Sequence, residues 1–187
     1  LGDVYKRQEV FLFFDYDVHQ TNLGKADDGD VINQMLESFD NETENGKLYI
    51  SYPMVEALRD FEAGKCGNGD NCFVEISALA EYKNISSRNS LNPHFRDYNI
   101  DVWKEIVDVF LMRISCLLGN AEVISYEQYL DEANPHDIYI CEQALAGNNK
   151  VFIISAFPEF LVDYFGIKLW RTCVKHAKNQ LDICNCK

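Results

Sequence analysis

The sequence predicts an α/β fold: a short parallel sheet at the amino-terminal end and a largely helical part after it. Residues 10–14 (VFLFF) form an apolar run typical of a buried strand, and residues 47–50 (KLYI) form a second strand. Between them, residues 28–39 place apolar side chains at helical spacing, with Asp27, Asp28 and Asp30 leading. Because strand–helix–strand connections are right-handed, the two strands should be parallel.

The next elements suggest where this first unit ends. Pro53 suits the first position of a helix, so residues 53–62 are predicted to be helical. A Gly-rich segment at 64–72 then breaks the pattern. We therefore expect an α/β unit over residues 9–63 and a mostly helical extension over 64–187.

The extension has recognisable helix boundaries and one predicted strand, near residues 150–154. Capping residues and glycines mark the helix ends. The predicted boundaries are a helix from Asn99 or Asp101 to Gly119, a capping box of Ser125 and Gln128, a helix from Asn134–Pro135 to Gly147, and a helix from the N-cap Ser155 to Gly166.

Residues 1–8, LGDVYKRQ, look foreign to the rest of the chain. They match the translation of a transposase adapter used in shotgun sequencing libraries, so they are interpreted as a non-native scar and kept out of the fold prediction. We accordingly expect the natural gene to extend upstream of Glu9.

Composition narrows the class of protein. The chain has 187 residues, of which 47% are hydrophobic, enough for one domain with a core. Its net charge of −13 argues against the broad basic surface of a stand-alone nucleic-acid binder. No apolar run approaches the roughly 18 residues of a membrane span, so no membrane partner is expected.

The seven cysteines are an odd number, and no signal peptide is visible, which indicates reduced thiols and a cytoplasmic protein. Cys66 and Cys72 flank a Gly-Asn-rich loop, and Cys184 and Cys186 close the chain. A zinc site joining these two pairs is left open, although neither spacing is the usual CxxC.

Three carboxylates carry the predicted chemistry. Asp15 and Asp17 follow the first strand, and residues i and i+2 of a strand point to the same side. Glu56 follows the second strand. Because ligands bind at the carboxyl ends of parallel strands, we expect these groups to converge there on Mg²⁺ or Mn²⁺.

The motifs FLFFDYD and KLYISYPMVEAL resemble the second half of a Toprim domain, of the kind found in OLD-type nucleases and related bacterial phage-defence proteins. Together with VFIISAFPEFLVDYFG, they are also similar to uncharacterised bacterial proteins near that group. The resemblance covers residues 9–62 for Toprim and 9–187 for the uncharacterised relatives. It implies a metal-dependent nuclease with Asp15 and Asp17 as catalytic metal ligands and Glu56 as the extra carboxylate.

The resemblance has further implications for activity and partners. Nucleic acid would be contacted through the metal in the full-length protein, and an ATPase is a partner type to expect. The family also uses a Glu on an earlier strand as general acid–base, and this sequence contains no such segment. We therefore expect this chain to be a fragment that is inactive alone.

Two other interpretations remain open. FLFFDYDV is also close to the first motif of haloacid-dehalogenase-like phosphatases, in which Asp15 would be the nucleophile, Asp17 the general acid and Ser155 a phosphate ligand. No later strand ends in the acidic pair that would complete that site. The second alternative is a non-catalytic module that binds a partner protein.

Overall fold

The computed structural model of the chain describes residues 8–16, 18, 30–60, 72–89, 94–120 and 122–166, and these form an α/β fold as predicted. The strands and α-helices are β1 (Phe11–Asp15), α1 (Val31–Ser38), β2 (Asp40–Asn41), β3 (Gly46–Ser51), β4 (Phe73–Glu75), α2 (Leu79–Asn89), α3 (Ile100–Leu117), α4 (Tyr126–Glu132), α5 (Pro135–Ala146), β5 (Lys150–Phe152) and α6 (Ala156–Phe165). Short 3-10 helices span Val55–Arg59, Ile76–Ala78 and Phe95–Asp97.

The first sheet has the strand order β1-β3-β2. β1 and β3 are parallel, and their register runs from Phe11 opposite Lys47 to Asp15 opposite Ser51. This confirms the predicted parallel pair, but β1 is not the buried strand that its apolar run indicated, because Phe13 and Phe14 are exposed. β2, only two residues long, pairs antiparallel with the start of β3 and was not predicted.

Helices cover both faces of this sheet. On one face, the rings of Phe11 and Tyr49 lie 5.0 and 5.9 Å from the ring of Phe160 in α6, centroid to centroid. On the other, Tyr16 lies 6.1 Å from Tyr139 of α5. Because side chains alternate along a strand, α6 and α5 pack on opposite sides of the β1–β3 pair.

A second, antiparallel sheet joins β4 to β5. Just after β3 and β5, Tyr52 and Ile154 form an isolated antiparallel bridge and exchange backbone hydrogen bonds of 2.7 and 2.9 Å, which links the two sheets. The strand predicted near residues 150–154 is therefore present as β5. The expectation of a single strand beyond residue 63 was wrong, because the three-residue β4 is a second one.

The predicted helix boundaries in the second half of the chain are confirmed. Asn99 is the N-cap of α3, and its side chain accepts from the N–H groups of Asp101 and Val102. Ser125 and Gln128 form the reciprocal capping box of α4. The described N-caps of α5 and α6 are Asn134 and Ser155, and the C-caps are Gly147 and Gly166.

The predicted helix over residues 53–62 is corrected by the structure. A 3-10 helix replaces it, and it begins at Val55. Pro53 precedes this helix and follows a cis peptide bond. Met54 has an extended backbone, so no helix can run through it, and the Val55 N–H donates to the Asp15 carboxylate instead of a local acceptor. Residues 61–62 lie outside the described part.

The two predicted units share one hydrophobic core, which contains residues from β3, α3, α5 and β5. Buried Arg113 of α3 connects residues of both units. Its guanidinium donates to the Ile153 carbonyl oxygen at 2.9 Å and to the Asp60 carbonyl oxygen. Within the described ranges, no helix combines the length and the apolar character that a membrane span requires.

Candidate functional site at the carboxyl edge of the parallel strands

Asp15 is the last residue of β1 and lies opposite Ser51, the last residue of β3. Its Oδ1 accepts a hydrogen bond of 2.7 Å from the Val55 N–H, which orients the carboxylate at the carboxyl edge of the sheet. Burial raises the pKa of Asp15; the Val55 hydrogen bond opposes this, and the negative charge of Glu56 adds to it. The ionised form of the Asp15 carboxylate is therefore less favoured than that of an ordinary exposed aspartate.

Glu56 lies in the first turn of the 3-10 helix that begins at Val55. Its side chain is only 13% exposed, and its Oε1 lies 3.0 Å from the Nζ of Lys83, an exposed residue of α2. Sequence analysis identified Glu56 but missed Lys83, which lies on a different element and carries no motif. The negative charge of Glu56 thus acts on Asp15, and the positively charged Lys83 lies beside Glu56.

Asp17, the third predicted ligand, lies outside the described residues, as does His19, which follows it closely. Among the residues that the structure does describe, no group of three or more His, Cys, Asp and Glu side chains is arranged to hold a metal ion. The described part of the site supplies two carboxylates. Their hard oxygen donors fit Mg²⁺ or Mn²⁺ in kind.

The amino-terminal end of α6 meets the same edge, but its first N–H groups are already used. Ser51 Oγ accepts from the Ala156 N–H at 3.2 Å, and Ser155 Oγ accepts from the Phe157 N–H at 3.3 Å. Ser155 is thus the predicted N-cap, buried and engaged with its own helix. Ser155 directly follows Ile154, which forms the antiparallel bridge with Tyr52 just after β3. Ser51 was not singled out from the sequence.

A tyrosine cluster lies beside this edge, on the α5 side of the sheet. Tyr16 and Tyr52 stack at a tilt with centroids 5.0 Å apart, and Tyr139 donates its hydroxyl to the Asp30 carboxylate at 2.7 Å. Burial, followed by the charges of Glu142 and Asp30, raises the pKa of Tyr16 to about 12. The Tyr16 hydroxyl is therefore neutral at physiological pH.

Of the seven cysteines, the structure describes Cys72, Cys116 and Cys141. Three of the four residues considered for a zinc site, Cys66, Cys184 and Cys186, fall outside the described ranges. That interpretation stays a prediction.

Comparisons with protein-family models, with curated proteins and with solved structures find no significant match to this chain.

Proposed function

We propose that this chain forms part of a Mg²⁺- or Mn²⁺-dependent protein of the Toprim type that acts on phosphodiester bonds, with Asp15, Asp17 and Glu56 as the carboxylate set. The observation that carries the proposal is that Asp15 ends one of two parallel strands and that Glu56, on the 3-10 helix that follows the other strand, acts on it electrostatically. The carboxyl edge of parallel strands is the edge at which open α/β sheets bind their ligands.

The electrostatics of this edge support a cation. Burial and the neighbouring Glu56 both disfavour the ionised form of Asp15. A divalent ion between such groups would relieve their repulsion and hold them ionised. When bound, it would supply Lewis-acid chemistry at a phosphoryl oxygen. Val55 contributes by fixing the direction of the Asp15 carboxylate.

The test is calorimetric titration of Mg²⁺ and of Mn²⁺ into the wild-type chain, Asp15→Ala and a matched control, Asp131→Ala. Asp131 is exposed on α4 and far from β1 in sequence. Loss of one direct ligand should weaken binding by about tenfold or more, or roughly 1.4 kcal/mol, whereas the control should bind as the wild type does. Equal binding by Asp15→Ala and the wild type would refute the assignment.

Metal binding comes before cleavage as a test, because it depends on the carboxylates alone, whereas the family resemblance implies a general acid–base in addition. If binding is established, cleavage of single- and double-stranded DNA and RNA is the next assay. Activity that survives Asp15→Asn would separate cleavage from this metal site.

One observation favours the non-catalytic alternative, a protein-interaction module: no described strand pairs with the outer edge of β1. Among the described strands it pairs with β3 alone. Val10 accepts from Lys47 and Tyr16 donates to Ser51, so the alternate residues Phe11, Phe13 and Asp15 direct their backbone groups away from β3. Phe13 and the neighbouring Phe14 are 46% and 47% exposed. Such edges pair readily with another chain, and this alternative would lead if neither cation binds.

A further inference from the structure

A cleft of about 340 Å³ lies between the β4–β5 sheet, the carboxyl-terminal end of α3 and the second half of α5. Phe73 lines it from β4, Cys116 from α3, and Cys141 and Ala144 from α5. Its volume falls within the range of small-molecule sites, roughly 300–1,000 Å³. Neither Asp15 nor Glu56 lines it.

None of the described residues that line the cleft is charged, although the chain as a whole has a net charge of −13. Three thiols, those of Cys72, Cys116 and Cys141, line it together with leucine and phenylalanine side chains. Asn148 is the one residue with a side-chain amide among the described lining residues. Its Nδ2 donates to the Ala144 carbonyl oxygen at 3.1 Å, so the amide already has a hydrogen-bond partner near the end of α5. A charged ligand would lose its hydration here without a counter-charge among these residues.

The thiols themselves are suited to apolar contact rather than to metal ligation. Burial raises the pKa of the Cys141 thiol, and the carboxylates of Asp137 and Glu142 raise it further, so this thiol is neutral at pH 7. No metal-holding group of His, Cys, Asp and Glu occurs in the described part of the chain, this cleft included. Neutral sulfur atoms make favourable contacts with aromatic rings.

We propose that this cleft is a binding site for an uncharged, mainly apolar molecule the size of two or three fused or linked rings. An apolar cavity of about 150 Å³ accepts one benzene ring, so the present volume has room for a larger ring system. The proposal does not depend on the carboxylate site.

The first test uses the full chain and the neutral dye N-phenyl-1-naphthylamine, whose fluorescence rises in apolar surroundings. The variant Ala144→Phe fills the cleft, and Ala80→Phe makes the same change at an exposed position of α2 outside it. We expect the dye to bind the wild type and the control equally, and Ala144→Phe to bind at least about tenfold more weakly. Equal binding by all three proteins, or no binding by the wild type, would overturn the proposal.

The second test needs no variant. Alkylation of Cys116 and Cys141 in the wild-type chain is followed by peptide mass spectrometry with and without saturating dye. Bound dye should slow alkylation of both thiols several-fold, because access governs thiol modification. Unchanged rates with dye bound would place the dye elsewhere, and thiols that do not react in the folded chain would show that the cleft is closed. Either result would contradict the proposal even if Ala144→Phe failed to fold.

Discussion

Glu142 of α5 accepts a hydrogen bond of 3.0 Å from the backbone N–H of Phe152 in β5, although the Glu142 side chain is entirely buried. Its second carboxylate oxygen, Oε1, has no hydrogen-bond partner among the described residues. Burial raises the pKa of Glu142 to about 8, against the opposing effect of the Phe152 N–H. The buried environment of the Glu142 carboxyl group therefore favours its neutral form.

This relationship predicts that the protein loses stability as the pH rises. Folding raises the pKa of Glu142 from its ordinary value of 4.5 to about 8. Its neutral carboxyl group therefore contributes fully to stability below pH 4.5, and that contribution is lost as the pH approaches about 8. The melting temperature of the wild type should fall between pH 5 and pH 8. Glu142→Gln stays neutral and can still accept from Phe152, so its melting temperature should fall less.

Glu127→Gln, at an exposed position of α4, is the matched control and should follow the wild-type pH profile. Buried Glu159, whose pKa burial also raises to about 8, should account for part of the fall that remains in Glu142→Gln. Identical profiles for the wild type and Glu142→Gln would show that Glu142 ionises as freely in the folded protein as in the unfolded one.

A further prediction concerns the buried hydrogen bond between Tyr129 and Glu159. The Tyr129 hydroxyl donates to Glu159 Oε1 at 2.9 Å inside the core. Tyr129→Phe removes the donor and leaves a buried oxygen unpaired, which should cost about 1–3 kcal/mol of unfolding free energy. Urea unfolding measures the loss. Tyr164→Phe, on the exposed face of α6, should change stability by less than about 0.5 kcal/mol; a similar loss in both variants would contradict the assignment.

Arg113 should not tolerate replacement by lysine. Its planar guanidinium donates to the carbonyl oxygens of Ile153 and Asp60 from two different nitrogens. A single ammonium group cannot reproduce that fork. We expect Arg113→Lys to lower the unfolding free energy by about 1–3 kcal/mol, measured by urea unfolding.

Arg96→Lys is the control for that experiment. Arg96 is exposed and lies 3.9 Å from the Asp97 carboxylate, a surface pair that contributes little. If Arg113→Lys were as stable as Arg96→Lys, the two buried carbonyl contacts would be energetically unimportant.

The contact between Lys83 and Glu56 predicts an effect on the proposed metal site. Lys83 neutralises a carboxylate that the cation would need. Lys83→Met should therefore raise the affinity for Mg²⁺ and Mn²⁺, whereas Lys104→Met on α3 removes the same charge at another place and should change it little. Calorimetry measures both. Equal effects of the two substitutions would mean that only the net charge matters and that Glu56 is not a ligand.

The elements that sequence analysis identified correctly depend on local signals. The cap at Asn99, the box of Ser125 and Gln128 and the apolar run before Asp15 each act within a few residues. The elements that it missed depend on distant partners. β4 is only three residues long and gains its hydrogen bonds from β5, more than seventy residues later, and the 3-10 helix at Val55 begins where Asp15 accepts its N–H.

The same distinction applies to the candidate site. Asp15 and Glu56 could be placed at one edge because parallel strands align their carboxyl ends, a rule that needs only the order of elements. Lys83 and Ser51 could not be identified, since their roles arise from the packing of α2 and α6 against that edge.

The edge of β1 that no described strand pairs with ends at Asp15, so a partner strand bound there would affect the affinity of the proposed site for a cation. A strand added along Phe11 and Phe13 would hydrogen-bond to the backbone of Asp15 and remove water from its carboxylate, which would shift the pKa of that group upward again. A cation favours the opposite, ionised state. By reciprocity, whatever factor such a partner imposes on cation affinity, the cation must impose on the partner's affinity. Binding of a partner strand would thus change the measured affinity for the cation, and binding of the cation would change the measured affinity for the partner strand.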